Sequence, residues 1–241
     1  MFVEVILFDN VYMPGILNDI LNLFFPNLCL GCSHPLMQNE KHICARCFID
    51  LPETGFFKDL DNPVLRLFSG RVHIINAAAA FYFQKGTHLQ HIIHQVKYRG
   101  KKDAGFELGK LIGQGMMDSP FASVDLVVPV PLHPSKERKR GFNQSALIAA
   151  GIATTLNKTL NERALERTKA TSTQTKKGRY ERWLNVDSVF RLANPGELSN
   201  QHILLVDDII TTGATLEACA QALLEEKGVQ VSIAALAYAR L

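Results

Sequence analysis

Residues 203–216 have the sequence Ile-Leu-Leu-Val-Asp-Asp-Ile-Ile-Thr-Thr-Gly-Ala-Thr-Leu, and this stretch decides the fold. Its four leading apolar residues predict a buried strand that ends at two adjacent carboxylates, Asp207 and Asp208. A loop rich in threonine and glycine follows, and a helix is predicted from Thr215 onward. A buried strand that passes through a short loop directly into a helix is typical of an α/β domain with a parallel sheet.

The loop has the features of a phosphate-binding site. Consecutive backbone N–H groups at a helix N-terminus attract anions, and Gly213 lets a ligand approach the backbone closely. Carboxylates do not bind phosphate, so Asp207 and Asp208 need sugar hydroxyls or a hydrated Mg²⁺ as partners. The stretch therefore predicts a site for a ribose 5-phosphate group. The loop also carries three hydroxyls, on Thr211, Thr212 and Thr215.

Other interpretations of this stretch fit less well. A Walker A loop requires a lysine directly after its glycine, and Ala214 follows Gly213 here. A dinucleotide fingerprint requires three glycines, and the Gly113-Gln-Gly115 segment has no third. A phospho-receiver domain needs about 100 residues after its acidic pair, whereas 33 of the 241 residues follow Asp208. An ordinary polar turn between a strand and a helix stays open.

Outward from this stretch, strands and helices alternate. We therefore expect an α/β domain over residues 66–241, in which helices flank a mostly parallel, twisted sheet. Residues 1–65 are predicted to form a smaller module, since the proline at position 63 breaks the pattern near its end. That module begins with an amphipathic helix over 14–25. The other predicted strands are 74–83, 126–130, 189–192 and 229–239. The first predicted helix of the domain begins at Thr87-His-Leu-Gln90, and the others are 102–117, 143–156 and 215–226.

Two Cys-x-x-Cys pairs lie eleven residues apart in the small module. They are formed by Cys29 with Cys32 and by Cys44 with Cys47. Four thiolates at this spacing predict a closed, structural Zn²⁺ site. Disulfides and redox chemistry at one pair are the alternatives, and two nearby histidines could replace a ligand. The fifth cysteine, Cys219, is predicted to be a buried apolar residue.

Composition and charge narrow the class of protein. An apolar content of 47% and a charged content of 20% exclude a disordered or fibrous chain. The apolar stretch 16–30 is too short and polar to span a membrane, and the N-terminus lacks the basic region of a secretory signal. We therefore expect a soluble, cytoplasmic protein. Residues 97–182 carry 17 basic and 8 acidic groups, a net +9, which predicts a surface for phosphates or nucleic acid or a merely solvated basic face.

The 203–216 stretch resembles the phosphoribosyl-pyrophosphate (PRPP) loop of type I phosphoribosyltransferases. The wider chain is similar to the ComF family, which couples an N-terminal zinc ribbon to such a domain. Several motifs carry this resemblance. They are the four cysteines, Lys97-Tyr-Arg-Gly-Lys101, Val128-Pro-Val-Pro-Leu-His133, Arg140-Gly-Phe-Asn143-Gln144, Gln174 and Arg182-x-x-Asn185-Val. The resemblance covers nearly the whole chain.

The resemblance implies roles for individual residues. Asp207 and Asp208, the candidate catalytic pair, would bind the ribose hydroxyls. The 5′-phosphate would be bound by Thr211, Thr212, Gly213, Ala214 and Thr215. Pyrophosphate with Mg²⁺ would meet the turn after strand 126–130, whose cations are Lys136, Arg138, Lys139 and Arg140. The polar stretch 166–182 would be a mobile loop over the site, or simply a solvated loop.

Three functions are compatible with this sequence. The first is a transferase that displaces pyrophosphate from ribose C1, for which no residue identifies the accepting base. The second, implied by the ComF resemblance, is a protein that handles single-stranded DNA with DNA-uptake proteins and binds PRPP or a nucleotide without turnover. In that case four aromatics of the basic segment, Tyr98, Phe142, Tyr180 and Trp183, could stack on bases or else pack in the core. The third is a zinc-ribbon adaptor whose second domain binds no ligand. The oligomeric state stays open.

Overall fold

A five-stranded, fully parallel sheet forms the centre of the fold. The computed structural model describes residues 26–98, 100–167 and 189–240. The sheet strands are β1 (Ala77–Phe83), β2 (Leu126–Pro129), β3 (Thr159–Leu160), β6 (His202–Ile210) and β7 (Gln230–Ala239). Their order is β1-β7-β6-β2-β3, and every neighbouring pair is parallel.

The sheet topology determines where a site can form. β6 is the central strand and β2 is its direct neighbour. Because the two strands are parallel, the segments that leave their carboxyl ends emerge at the same edge of the sheet. The predicted phosphate loop after β6 and the basic turn after β2 are therefore adjacent. The predicted α/β fold with a mostly parallel sheet is confirmed.

Seven helices surround this sheet within the described residues. They are α1 (Ala45–Ile49), α2 (Pro63–Arg66), α3 (His88–Tyr98), α4 (Lys102–Met116), α5 (Pro134–Arg140), α6 (Gln144–Leu156) and α7 (Ala214–Leu224), with a 3-10 turn at Pro120–Ser123. The backbones of helices α4 and α6 touch where the two helices cross, at Gly109 and Gly151. A Cβ added to Gly109 would lie 2.2 Å from the Ile148 carbonyl oxygen, and one added to Gly151 would lie 2.1 Å from that of Phe106.

Local sequence signals account for several helix ends. The predicted start of α3 shows one half of a capping box, because the Gln90 N–H donates to Thr87 Oγ1 at 3.4 Å, whereas the Gln90 side chain accepts from the Gly86 N–H at 2.7 Å instead of from that of Thr87. Proline starts rather than interrupts two short helices. Asn62 and His133 are the N-caps that precede the prolines at positions 63 and 134.

The structure adds a strand at 165–167 that the sequence pattern did not predict and pairs it with the predicted strand at 189–192. β4 (Leu165–Arg167) and β5 (Phe190–Leu192) form a separate antiparallel pair. The first residues of the predicted mobile loop, 166 and 167, therefore belong to a strand. The rest of that loop, with Gln174, Tyr180, Trp183 and the 182–186 motif, and the predicted helix over 14–25 lie outside the described residues.

The segment before β1 packs closely against the sheet. The Thr54 N–H donates to the Ala80 carbonyl at 3.0 Å and the Tyr82 N–H donates to the Pro52 carbonyl at 2.8 Å, so residues 52–54 cover the outer edge of β1. The same hydrophobic core as that of the sheet includes Leu30, Phe57 and Val64. A domain boundary near residue 65 stays a prediction. Among the helices that the structure describes, none is long and apolar enough to cross a membrane.

Candidate functional site

The predicted phosphate loop joins β6 to α7 at the carboxyl edge of the sheet. Gly213 has a φ of 74°, a left-handed conformation that favours glycine, and α7 begins at the next residue. Thr211, Thr212, Ala214 and Thr215 are exposed, so their polar groups are accessible to a ligand. Asp207 and residues 209–216 line one small depression. The structure thus brings the predicted loop residues and one carboxylate together.

The acidic pair lies within β6 rather than at its end. Pairing with β7 continues past the pair, as Ile210 lies opposite Tyr238. The predicted strand 203–206 was therefore too short. Asp208 is buried, with 8% exposure, and its Oδ2 forms an ion pair with Lys97 Nζ from the last turn of α3. This partner neutralises the Asp208 carboxylate in the free protein.

Asp207 is held by two hydrogen bonds to its Oδ1 atom. Ser145 Oγ donates at 2.9 Å and the Asp208 N–H donates at 2.8 Å. Burial, followed by repulsion from Asp208, raises the pKa of Asp207 to about 7, although both hydrogen bonds and Lys97 oppose this change. One of two adjacent carboxylates thus titrates near neutral pH, while the other is paired with a lysine.

The raised pKa of Asp207 makes the free protein less stable at high pH. Between its ordinary pKa of 3.8 and about 7, the folded chain binds a proton that the unfolded chain has released, so this stabilising contribution is lost as the pH rises. An asparagine at this position would keep both hydrogen bonds and carry no charge. We expect Asp207→Asn to raise the melting temperature at both pH values, and at pH 8 by about 5–10 °C more than at pH 5, because about two pH units separate pH 5 from the folded pKa, or roughly 2–3 kcal/mol.

Thermal unfolding at both pH values measures this effect. The exposed Asp118 provides a matched control, because Asp118→Asn should give no such difference between pH 8 and pH 5. An Asp207→Asn variant with the same gain at both pH values, or with none, would show that Asp207 does not retain a proton near neutral pH.

The predicted basic turn is mostly the short helix α5. Lys136, Arg138 and Lys139 are exposed and form no ion pair with any residue that the structure describes. Arg140 is half-buried and donates from Nη1 to Gln144 Oε1 at 2.5 Å. Since these three cations form no salt bridge with a described residue, the helix can present them to an anionic ligand.

Two contacts connect this basic helix to the acidic pair. Asn143, the N-cap of α6, donates from Nδ2 to the Val130 carbonyl at 2.9 Å, which fixes the turn to the end of β2. Ser145, two residues later, donates to Asp207. The cationic turn and the acidic strand are therefore joined through the first turn of α6.

The four clustered cysteines fit a tetrahedral metal site. Their sulfur atoms all lie within 4.8 Å of one another, and none is in a disulfide. Two thiolates on a tetrahedral Zn²⁺, with Zn–S bonds of about 2.3 Å, are ~3.8 Å apart. Cys32 Sγ and Cys44 Sγ are 3.7 Å apart. Neither His34 nor His42 belongs to a group of possible metal ligands among the described residues.

Backbone hydrogen bonds to sulfur also favour a thiolate in this cluster. The N–H groups of Gly31 and Cys44 donate to Cys29 Sγ at 3.4 and 3.2 Å. Burial alone would raise the pKa of Cys29, but the backbone hydrogen bonds outweigh it and lower the pKa to about 7. A metal ion has a preformed set of four donors here.

Sequence reasoning missed the residues that surround the acidic pair from other elements. Lys97 lies in the Lys97–Lys101 motif, to which the sequence assigned no role, and Ser145 follows the Asn143-Gln144 motif. Arg71 had no signal at all. It donates from Nη1 to the Thr212 carbonyl at 3.0 Å.

Comparisons with known proteins identify relatives of this chain. A family model for the phosphoribosyl transferase domain matches residues 143–240, which include α6, the acidic pair, the candidate phosphate loop and β7. The DNA utilization protein YhgH of Escherichia coli K12 is 31% identical over 149 residues, which are 60% of this chain and 65% of YhgH. The chain thus spans just under two thirds of the length of that relative.

Two competence proteins are also similar. Competence protein F of Haemophilus influenzae is 33% identical over 107 residues, which are 44% of this chain and 46% of that protein. Competence protein ComFC of Bacillus subtilis is 26% identical over 217 residues, which are 88% of this chain and 84% of that protein. The ComFC similarity extends over most of both chains.

Proposed function

Because this chain is a homologue of the ComF and ComFC competence proteins and contains a phosphoribosyl transferase domain, we propose that it binds PRPP with Mg²⁺. We further propose that it transfers the phosphoribosyl group to an acceptor that is still to be identified. The observation that carries this proposal is the acidic pair, with Asp207 half-buried and Asp208 buried, two residues before a glycine-containing loop that opens a helix.

The loop would bind the 5′-phosphate through backbone N–H groups and hydroxyls. Residues 211–215 supply these donors, and the partial positive charge at the start of α7 adds to the attraction. The ribose hydroxyls would donate to Asp207 and Asp208. In the free protein Lys97 holds Asp208, so we expect the sugar to displace this ion pair.

The cations of α5 would bind the pyrophosphate group. As the bond between ribose C1 and the pyrophosphate oxygen breaks, negative charge accumulates on the leaving group while C1 bonds to the acceptor. Exposed cations at 136–139 and the half-buried Arg140 would stabilise that charge. Oxygen donors on the substrate and on the acidic pair suit Mg²⁺, which would neutralise part of the pyrophosphate charge. Positioning and charge compensation would thus dominate the chemistry.

The cysteine cluster would hold a structural Zn²⁺ that fixes residues 29–47 against α3. His91 Nδ1 lies 3.3 Å from the Gly31 carbonyl oxygen, and a Cβ on Gly31 would lie 3.3 Å from His88 Cβ. The metal knuckle therefore packs on the helix that carries Lys97. Cysteines without disulfides suit a reducing compartment, and we place the protein in the cytoplasm.

Pyrophosphate release from PRPP tests the transferase proposal. Purified protein with PRPP and Mg²⁺ would be incubated with single purine and pyrimidine bases, and release above the acceptor-free rate identifies the acceptor. The Asp207→Asn/Asp208→Asn variant is the negative control. PRPP binding without release for any acceptor would contradict turnover and favour the second function.

The second candidate function is binding of single-stranded DNA, and an exposed tyrosine beside cations favours it. Tyr98 is 60% exposed and contacts two side chains. The Arg140 guanidinium carbon lies 5.0 Å from the Tyr98 ring centroid, and the His94 ring centroid lies 4.8 Å from it. Lys102 Nζ similarly lies 5.4 Å from the Phe142 centroid. Rings beside cations suit stacked bases and phosphates. Two relatives are named for competence and one for DNA utilization.

Charge reversal on α5 is expected to weaken DNA binding. In Lys139→Glu/Arg140→Glu, two cations become anions, so affinity for a short oligonucleotide should fall at least tenfold at about 50 mM salt, with a shallower salt dependence. Fluorescence anisotropy of a labelled oligonucleotide across a salt series measures both quantities. The same variant should also bind PRPP more weakly.

Lys158→Glu/Lys227→Glu is the matched control for this prediction. Lys158 directly precedes β3 and Lys227 lies before β7, so both are at the amino end of the sheet, away from the site. This control changes the net charge equally. If both double variants lose the same affinity for the oligonucleotide, DNA binding depends on net charge and not on the position of α5. The absence of salt-dependent binding would exclude the DNA function.

A further inference from the structure

A short segment between the cysteine module and β1 lies against the candidate phosphate loop. Arg71 makes three contacts from this segment. Its Nη1 atom donates to the carbonyl oxygens of Thr212 and Leu67, at 3.0 Å each, and its Nη2 atom forms an ion pair with Glu217 in the first turn of α7. One side chain thus connects its own segment, the loop and the following helix.

Phe68 supports the loop from the same segment. Its side chain is fully buried, and its ring would lie 3.0 Å from a Cβ added to Gly213. The Gly213 backbone therefore rests directly on the ring, and the loop cannot move toward the core. Arg71 and Phe68 together fix both the position of the loop and the direction of the Thr212 carbonyl.

Arg71 also changes the charge at the start of α7. Glu217 lies in the first turn of that helix, where its carboxylate would repel a phosphate bound at the N-terminus. The Arg71 guanidinium neutralises it, and both side chains are partly buried, with 37% and 21% of their surface exposed. Without Arg71, an uncompensated negative charge would lie beside the phosphate.

We propose that Arg71 is a positioning residue for the 5′-phosphate subsite, which it maintains by holding the Thr212 carbonyl and neutralising Glu217. This inference rests on the proposed function. Arg71 acts on the phosphate through the loop and Glu217, so its loss should affect ligands that carry the 5′-phosphate. Pyrophosphate, which the cations of α5 would bind, should be affected little.

Binding of two separate ligands to Arg71→Ala tests this proposal. We expect affinity for ribose 5-phosphate to fall about tenfold and affinity for Mg²⁺-pyrophosphate to change less than about twofold. Arg71→Ala/Glu217→Gln should recover about threefold, because the uncompensated charge is removed. Arg71→Lys, which retains the charge, should lose less than Arg71→Ala.

Arg66→Ala is the matched control, because Arg66 lies in the same segment and pairs with the exposed Asp61 rather than with the loop. It should bind both ligands as the wild type does. Equal affinity of wild type and Arg71→Ala for ribose 5-phosphate would overturn this inference alone. Equal losses of affinity of Arg71→Ala for ribose 5-phosphate and for Mg²⁺-pyrophosphate would also overturn it. So would an Arg71→Ala/Glu217→Gln variant that binds ribose 5-phosphate no better than Arg71→Ala. A wild type that binds neither ligand would overturn the proposed function and this inference with it.

Discussion

PRPP binding is expected to disappear when Asp207 and Asp208 are both replaced by asparagine. The two carboxylates would accept hydrogen bonds from the ribose hydroxyls and lie near the Mg²⁺ ion, so an amide pair loses both the charge and part of the acceptor capacity. We expect affinity to fall at least about a hundredfold in titration calorimetry. The fold should persist, because the amide oxygen of an asparagine at position 207 can still accept from Ser145 and from the backbone N–H of residue 208.

A control for this variant lies at the other end of the sheet. Asp125 accepts from the His202 N–H at 2.8 Å, next to the first residues of β2 and β6. Asp125→Asn should bind PRPP as tightly as the wild type. If single-stranded DNA binds, its affinity for the double variant should be largely unchanged, which would separate the two functions. PRPP affinity retained in the double variant would place its site elsewhere.

Loss of the metal is expected to unfold the region of the four cysteines. Apparent binding free energies of structural Zn²⁺ sites are about 10–16 kcal/mol at neutral pH, far more than a knuckle of this size gains from packing. Cys47 is the most buried of the four cysteines, with 0% exposure. Cys47→Ala should therefore purify without stoichiometric zinc and melt at least about 10 °C lower than the wild type.

Cys219 provides the matched control for cysteine loss. It is equally buried, in α7, but is not part of the cluster, so Cys219→Ala should keep one zinc per chain. Metal analysis and circular dichroism with and without a chelator measure both effects. A wild type that contains no zinc and is indifferent to chelation would show that the four thiols are not a structural metal site.

The elements and the loop were predictable because their signals are local. The apolar run at 203–206, the glycine at 213 and the cysteine spacing each lie within a few residues of the feature they specify. The strand end was misplaced because Ile209 and Ile210 continue the pairing with β7, and the acidic residues interrupt only the hydropathy pattern. The two carboxylates fit within β6 because Lys97 and Ser145, which pair with them, come from other elements.

Those partners could not be predicted, since they depend on tertiary packing. Lys97 reaches Asp208 from α3, Ser145 reaches Asp207 from α6, and Arg71 reaches Thr212 across 141 residues of sequence. No periodicity or spacing relates such pairs. The consequence is chemical, because the sequence indicates two carboxylates, whereas the fold gives one paired with a lysine and one with a pKa of about 7.

Titration of the wild-type protein with PRPP in the presence and absence of Mg²⁺ tests whether the chain binds PRPP at the candidate site. We expect one PRPP per chain, tighter binding with Mg²⁺, and competition by ribose 5-phosphate and by pyrophosphate. A folded, zinc-loaded protein that gives no binding signal under either condition would contradict this expectation and would favour a nucleic-acid-binding or adaptor role.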